Sequence, residues 1–215
     1  MHLTKEAIQK TEKIKRLNII NSISGIKPAN LIGTRSNDGQ SNLAIFSSVI
    51  HLGSNPALLG FISRPSGEIR RHTYENILEN SYYTINHIDT SFIEQAHYTS
   101  AKFEVNESEF EKCELTEAYL FGFHAPFVKE SQLKIGLKYR ESVPIKANGT
   151  VLVIGEVEHI VFPDAAMDKQ GHIDLSHING VGISGLNSYY GLEKLAQFAY
   201  ARPNELPDFQ TQKAK

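Results

Sequence analysis

Apolar and polar residues alternate most regularly in the second half of the chain. In "QLKIGLKYR", Leu133, Ile135, Leu137 and Tyr139 share one face, and Gln132, Lys134, Lys138 and Arg140 the other. A two-residue period of this kind predicts a half-buried strand. "NGTVLVIGEVEHIVF" begins at an Asn-Gly turn and is apolar on both faces through Ile154. It then sets Val157, His159 and Val161 against Glu156 and Glu158, a long strand. "NLIGTRS", "NDGQ" and "SNLAIFSSVIHL" predict a hairpin whose Gly39 takes the positive φ of the turn. "SNP" at 54–56 marks another turn before the strand "ALLGFIS", and "SYYTINHI" is a further strand.

Helical spacing is weaker. Residues 4–18, with Ile8, Ile14 and Leu17, predict one short amphipathic helix, and "EIRRHTYENILEN" predicts another. Residues 91–118 read as helical and irregular pieces, and "PDAAMDKQGHIDLSHINGVG" as loop. "LNSYYGLEKLAQFAYARP" predicts a helix ended by Pro203, followed by a polar tail. Strands joined by tight turns, with helices inserted, predict a mostly antiparallel barrel or sandwich with α additions.

Composition narrows the class. The chain has 215 residues, 40% hydrophobic and 21% charged, with a net charge of −2. Without a basic excess, nucleic acid is a poor partner. Cys113 is the lone cysteine, so no internal disulfide forms, which suits a reducing compartment. The sequence has no apolar run of membrane-spanning length and no secretory signal, so a soluble cytoplasmic protein is expected.

Several motifs have bland readings. Gly180, Gly182 and Gly185 spell GxGxxG, but no βαβ series surrounds them, and a flexible loop is expected. His172 and His177 lack the spacing and the glutamate of a helical zinc pair, so no metal is expected. Cys113 adjoins glutamates that discourage a thiolate. His124, in "FGFHAP", is either a pocket-lining group or a structural histidine. The compact basic signal is Arg64, then Arg70, Arg71 and Thr73 at the start of the predicted helix. It is either a phosphate cradle at a helix N-terminus or a solvated basic turn. Just upstream, Asn42, Ala44, Phe46 and Ser48 should share one strand face, and Leu43, Ile45 and Val49 the opposite, core face. The first face, small and polar with one aromatic ring, suits a flat heteroaromatic ligand.

In order along residues 25–203, these segments resemble the flavin reductase-like proteins that bind FMN in a split barrel. The resemblance is carried by "DGQSNLAIFSSV", "SNPALLGFISRP", "IRRHTYENILENSYYTINHI", "HYTSAKF", "ESEFEKCELT", "VKESQLKIGLKYRE", "GTVLVIGEVEHIVF" and "SYYGL". Thr73, Asn76, Ile77 and Asn86 are retained from the family pattern. Arg71 stands where a lysine is usual, His72 where an acid is, and Ile45 where a proline is. The resemblance implies an antiparallel Greek-key split β-barrel over 25–203, with a helical extension at 1–24 and a tail at 204–215. It also implies a homodimer holding FMN at or near the subunit interface. The phosphate would rest against Arg64, Arg71 and Thr73, and the ring over Asn42, Leu43, Ala44, Phe46, Ser47 and Ser48. His124, Tyr189 and Tyr190 would line the substrate side. Electrons from NAD(P)H would pass through the flavin, and no catalytic side chain is implied. The alternatives are a flavoredoxin-like electron carrier without NAD(P)H turnover and, on a similar barrel, a pyridoxal-phosphate or heme protein.

Overall fold

The computed structural model describes residues 1–65, 72–104 and 107–209. Two helices come first, α1 (Lys5–Lys10) and α2 (Lys13–Ser22). Sequence spacing predicts one helix here, and the Glu12 side chain is the reason there are two. Its carboxylate accepts the Ile14 and Lys15 N–H groups at 2.9 and 3.0 Å, capping a new helix start.

The strands follow as β1 (Lys27–Pro28), β2 (Asn30–Arg35), β3 (Ser41–Phe46), β4 (Ile50–Ser54) and β5 (Ala57–Ser63). Helix α3 (His72–Asn80) leads to β6 (Tyr82–His87), then to α4 (Ile93–Tyr98) and α5 (Glu109–Lys112). Two short strands, β7 (Glu117–Ala118) and β8 (Phe127–Val128), pair with each other. The long pair is β9 (Lys134–Ile145) and β10 (Thr150–Val161), and β11 (Val181–Ser184) and β12 (Ser188–Gly191) complete the order.

The main sheet is antiparallel with strand order β3-β2-β6-β9-β10-β5-β4. Strands β3 and β4 are neighbours in sequence yet lie at opposite edges. The sheet nevertheless curls until the edges approach. Phe46 of β3 meets Phe61 of β5 edge-on, with ring centroids 4.9 Å apart. Ile32, Phe61, Ile77, Tyr83, Ile85, Leu137 and Val153 fill the enclosed space. The curled sheet is a barrel open along the β3–β4 seam, with inward-facing apolar residues filling it. A second core, including Leu31, Leu43, Phe92 and Phe110, packs α4 and α5 against the outer face.

Gly39 has φ +87° in the β2–β3 turn, as the Asp-Gly signal predicts. Two segments depart from the sequence expectation. Residues 181–184 form β11, which pairs with β1 and β12 and buries Val181 and Ile183, so the glycine-rich motif is sheet and not loop. Residues 192–202 contain no helix, and Leu195, Phe198 and Tyr200 are exposed. A segment of this length with no packed face lacks the tertiary contacts that sustain a short helix. Among the described residues no helix is long and apolar enough to cross a membrane.

The barrel core holds one polar misfit. Tyr83 is fully buried and its hydroxyl has no hydrogen-bond partner among the described residues. The ring fits because Gly155 lacks a Cβ, which would stand 2.2 Å from that hydroxyl. Burial also pushes the phenol pKa up. Tyr83→Phe removes the unpaired hydroxyl and is expected to stabilise the fold by about 1 kcal/mol. A higher urea midpoint would confirm this, and a lower one would reveal a hidden partner.

Candidate functional site

The polar residues of β3 divide into a buried network and a groove. Thr34 Oγ1 accepts from Asn42 Nδ2 at 3.2 Å and from Asn76 Nδ2 at 3.1 Å. Asn42 Nδ2 also donates to Thr73 Oγ1 at 3.0 Å. Asn42 and Thr73 are therefore brought together, tying the start of α3 to the β2–β3 hairpin. Arg70 and Arg71 lie outside the described residues. Arg64 is exposed just past the end of β5.

Leu43 and Ile45 pack into the outer core, as alternation predicts. The Leu43 N–H donates to Glu109 Oε2 at 3.0 Å. Burial raises the Glu109 pKa, while the N–H bonds it accepts and nearby His72 pull it back. Ala44 stands opposite Ile32 and is half-buried. Phe46 packs on the barrel core, and so does Val49, which was expected on the opposite face. The strand ends at Phe46, so its alternation does not extend to Val49.

Ser47 and Ser48 line a groove of about 390 Å³ between α2, β1 and the β3–β4 connection. Ile20, Lys27, Val49 and Ile62 share its walls. Ser48 Oγ accepts the Ile62 N–H at 3.0 Å and reaches the Ile62 carbonyl at 3.4 Å. It thus ties the β3–β4 connection to the end of β5. Lys27 Nζ donates to the carbonyls of Asn21 (2.8 Å) and Gly185 (3.0 Å), and burial lowers its pKa. The sequence reading missed Lys27, because its partner Gly185 is 158 residues away. The groove thus offers hydroxyls, an ammonium and apolar walls, which suit a flat ligand with polar edges.

The substrate-side candidates do not converge within the chain. His124 is exposed, with its ring 6.4 Å from that of Tyr82. Tyr189 lines a separate depression of about 670 Å³ with Ser91, Glu94, His97 and Tyr98. Its hydroxyl lies 3.1 Å from His97 Nδ1, and burial pushes its pKa up to about 12. Tyr190 is exposed. Among the described residues no group of three or more His, Cys, Asp or Glu side chains could hold a metal ion. Cys113 is buried, and burial followed by the charge of Glu109 raises its pKa.

Comparison with known proteins agrees with this geometry. A split-barrel protein from Shewanella frigidimarina NCIMB 400, assigned to the flavin reductases, is 51% identical. It superposes with a TM-score of 0.90 over 94% of this chain and 100% of its own. Flavoredoxin of Desulfovibrio vulgaris (Miyazaki F) is 21% identical, with a TM-score of 0.70 over 82% of this chain and 92% of its own. The FMN-binding protein of Thermus thermophilus is 14% identical, with a TM-score of 0.66 over 80% and 90%. The last two share the fold. Residues 26–180 match the flavin reductase like domain, and with its antiparallel barrel split along the β3–β4 seam the chain belongs to that family.

Proposed function

We propose that this chain is an FMN-dependent oxidoreductase that passes electrons from NAD(P)H to a flavin or another acceptor. The observation that carries the reading is the groove at the barrel seam, whose Ser47 and Ser48 follow directly on β3. Family membership supports a flavin there. Ser47, Ser48 and Lys27 would hold the polar edges of the ring, and Ala44 and Phe46 would face it from β3, while Asn42 braces the strand through its buried bonds and Leu43 turns away into the outer core. Arg64, Arg71 and Thr73 would take the phosphate. Bound FMN supplies the two-electron redox chemistry, and the protein supplies orientation and exclusion of water. His124, Tyr189 and Tyr190 would line the side where donor or acceptor docks.

The reading includes a homodimer in the cytoplasm. Ile14, Ile20 and Ile23 of the N-terminal extension (1–24) are exposed, as are Leu195, Phe198 and Tyr200 near the end of the 25–203 unit. A second copy would cover such surfaces, and dimerisation would then raise flavin affinity by mass action. Residues 204–215 form the tail beyond the catalytic unit.

One experiment tests cofactor and assembly together. The purified protein is dialysed against FMN, FAD and riboflavin, then sedimented over a dilution series at flavin and protein wavelengths. FMN should be retained in preference to the others, and flavin should be released as dimers dissociate. No FMN uptake would overturn the reading, and a monomer with full FMN occupancy would overturn the shared site. Stopped-flow mixing with NADH or NADPH should then bleach the flavin. FMN that stays oxidised would make the protein an electron carrier instead.

A further inference from the structure

Asn30 opens β2 and is 0% exposed, yet neither its Nδ2 nor its Oδ1 has a hydrogen-bond partner among the described residues. The other buried asparagines are bonded. Asn42 and Asn76 donate to Thr34, and Asn86 donates to the Leu31 carbonyl and to Thr84 while accepting the Val128 N–H. A buried amide left bare at both ends weakens a fold, so it calls for a partner that binds there.

The position indicates what kind of partner. Asn30 shares a strand face with Ile32, which packs in the barrel core. Its cross-strand partners are Phe46 and His87. Pro28, two residues before it, lines the groove, as do Ser47 and Ser48, which follow Phe46. Asn30 does not itself line the groove, but alternation sets its amide on the strand face that Pro28 and Ser48 carry on to it. The amide presents one donor beside one acceptor, the complement of a cyclic imide, in which a carbonyl adjoins an N–H.

We propose that Asn30 is a specificity residue that pairs with the imide edge of a heteroaromatic ring bound in the groove. This rests on the flavin reading above, since the pyrimidine portion of a flavin carries such an edge. Because Asn30 is fully covered, the ring reaches it only by displacing a side chain of the groove wall. The unpaired amide is then a cost that the free protein carries and the bound protein relieves.

Dissociation constants of FMN and of FMN methylated at ring N3, which blocks the imide donor, test this in the wild type and in Asn30→Leu. Urea unfolding of the flavin-free proteins is measured alongside. The wild type should prefer FMN over its N3-methyl form by roughly ten-fold, and Asn30→Leu should lose that preference. The flavin-free Asn30→Leu protein should be at least as stable as wild type. Should Asn30→Leu not fold, Asn30→Ala gives the same affinity comparison. If the variant keeps the full preference, the amide takes no part in holding the ring and the inference falls. If the wild type binds neither flavin, the flavin reading fails first, and the inference fails with it.

Discussion

Gly33→Ala is expected to destabilise the protein by about 3 kcal/mol, the upper end for overpacking, because the added methyl group has nowhere to go. Gly33 sits in β2 between Leu43 of β3 and Thr84 of β6. A Cβ there would stand 2.3 Å from the Pro126 carbonyl oxygen and 2.7 Å from Thr84 Oγ1. These two atoms are themselves joined, with Thr84 Oγ1 donating to Pro126 O at 2.6 Å in a fully buried bond. The obstacle is partly backbone, so a side-chain rotation cannot relieve it. Either the "FGFHAP" segment lifts off the sheet, taking His124 with it, or the Thr84 bond breaks. Gly191→Ala is the matched control, since a Cβ at Gly191 meets nothing within 4 Å. That control should lie within about 0.5 kcal/mol of wild type. Equal urea midpoints for the two variants would show that the segment over Gly33 yields freely.

The same crowding explains which parts of the fold were legible in sequence. The β2–β3 hairpin and the β9–β10 pair follow from local signals, namely the Gly39 turn and an alternation that one buried face enforces. Contacts between distant residues carry no such signal. Nothing near residue 33 announces Pro126, and nothing near residue 27 announces Gly185. The "LEKLAQFAYA" stretch misleads for the opposite reason. It has helix-forming residues, but within one chain its Leu195 and Phe198 have no face to pack on. The glycine-rich 180–185 stretch becomes strand because β1 and β12 flank it, and both pairings are invisible locally.

The candidate site was readable to a similar depth. Ser47 and Ser48 line the groove, but so does Val49, which the alternation sets on the opposite face from Ser48. Asn42 and Thr73 bond to each other through the buried network, which links the β3 face to the start of α3. Asn30 passed as an ordinary strand residue, because a missing hydrogen bond is a property of the packed core. His97 passed unnoticed for a related reason, since Tyr189 lies 92 residues further along the chain.

His87 should make the protein lose stability in mild acid. It ends β6, where its backbone is held on both sides: its N–H donates to the Leu133 carbonyl and its carbonyl accepts from Ser131 Oγ. Burial alone pushes the imidazole pKa from 6.5 down to about 4, with no charged neighbour contributing. The folded protein therefore binds fewer protons than the unfolded chain between those values, and stability rises with pH across that window. It is fully present above pH 6.5 and is lost as pH falls toward 4. With each pKa unit worth about 1.4 kcal/mol, about 2–3 kcal/mol should vanish between pH 7.5 and 4.5. Glu109 works the other way. Its raised pKa means the folded state holds its proton more tightly, so its burial penalty shrinks as pH falls through that raised value. The wild-type slope alone thus sums these two groups with carboxylates such as Glu107 and Asp174, whose hydrogen bonds lower their pKa values. Urea unfolding of flavin-free wild type and His87→Gln at both pH values separates them, because glutamine keeps polarity and approximate size but cannot take up the proton. The variant should lose about 2–3 kcal/mol less than wild type over the interval. Parallel losses in the two proteins would mean that the imidazole titrates as freely in the fold as in the unfolded chain, and that the barrel end around His87 admits water.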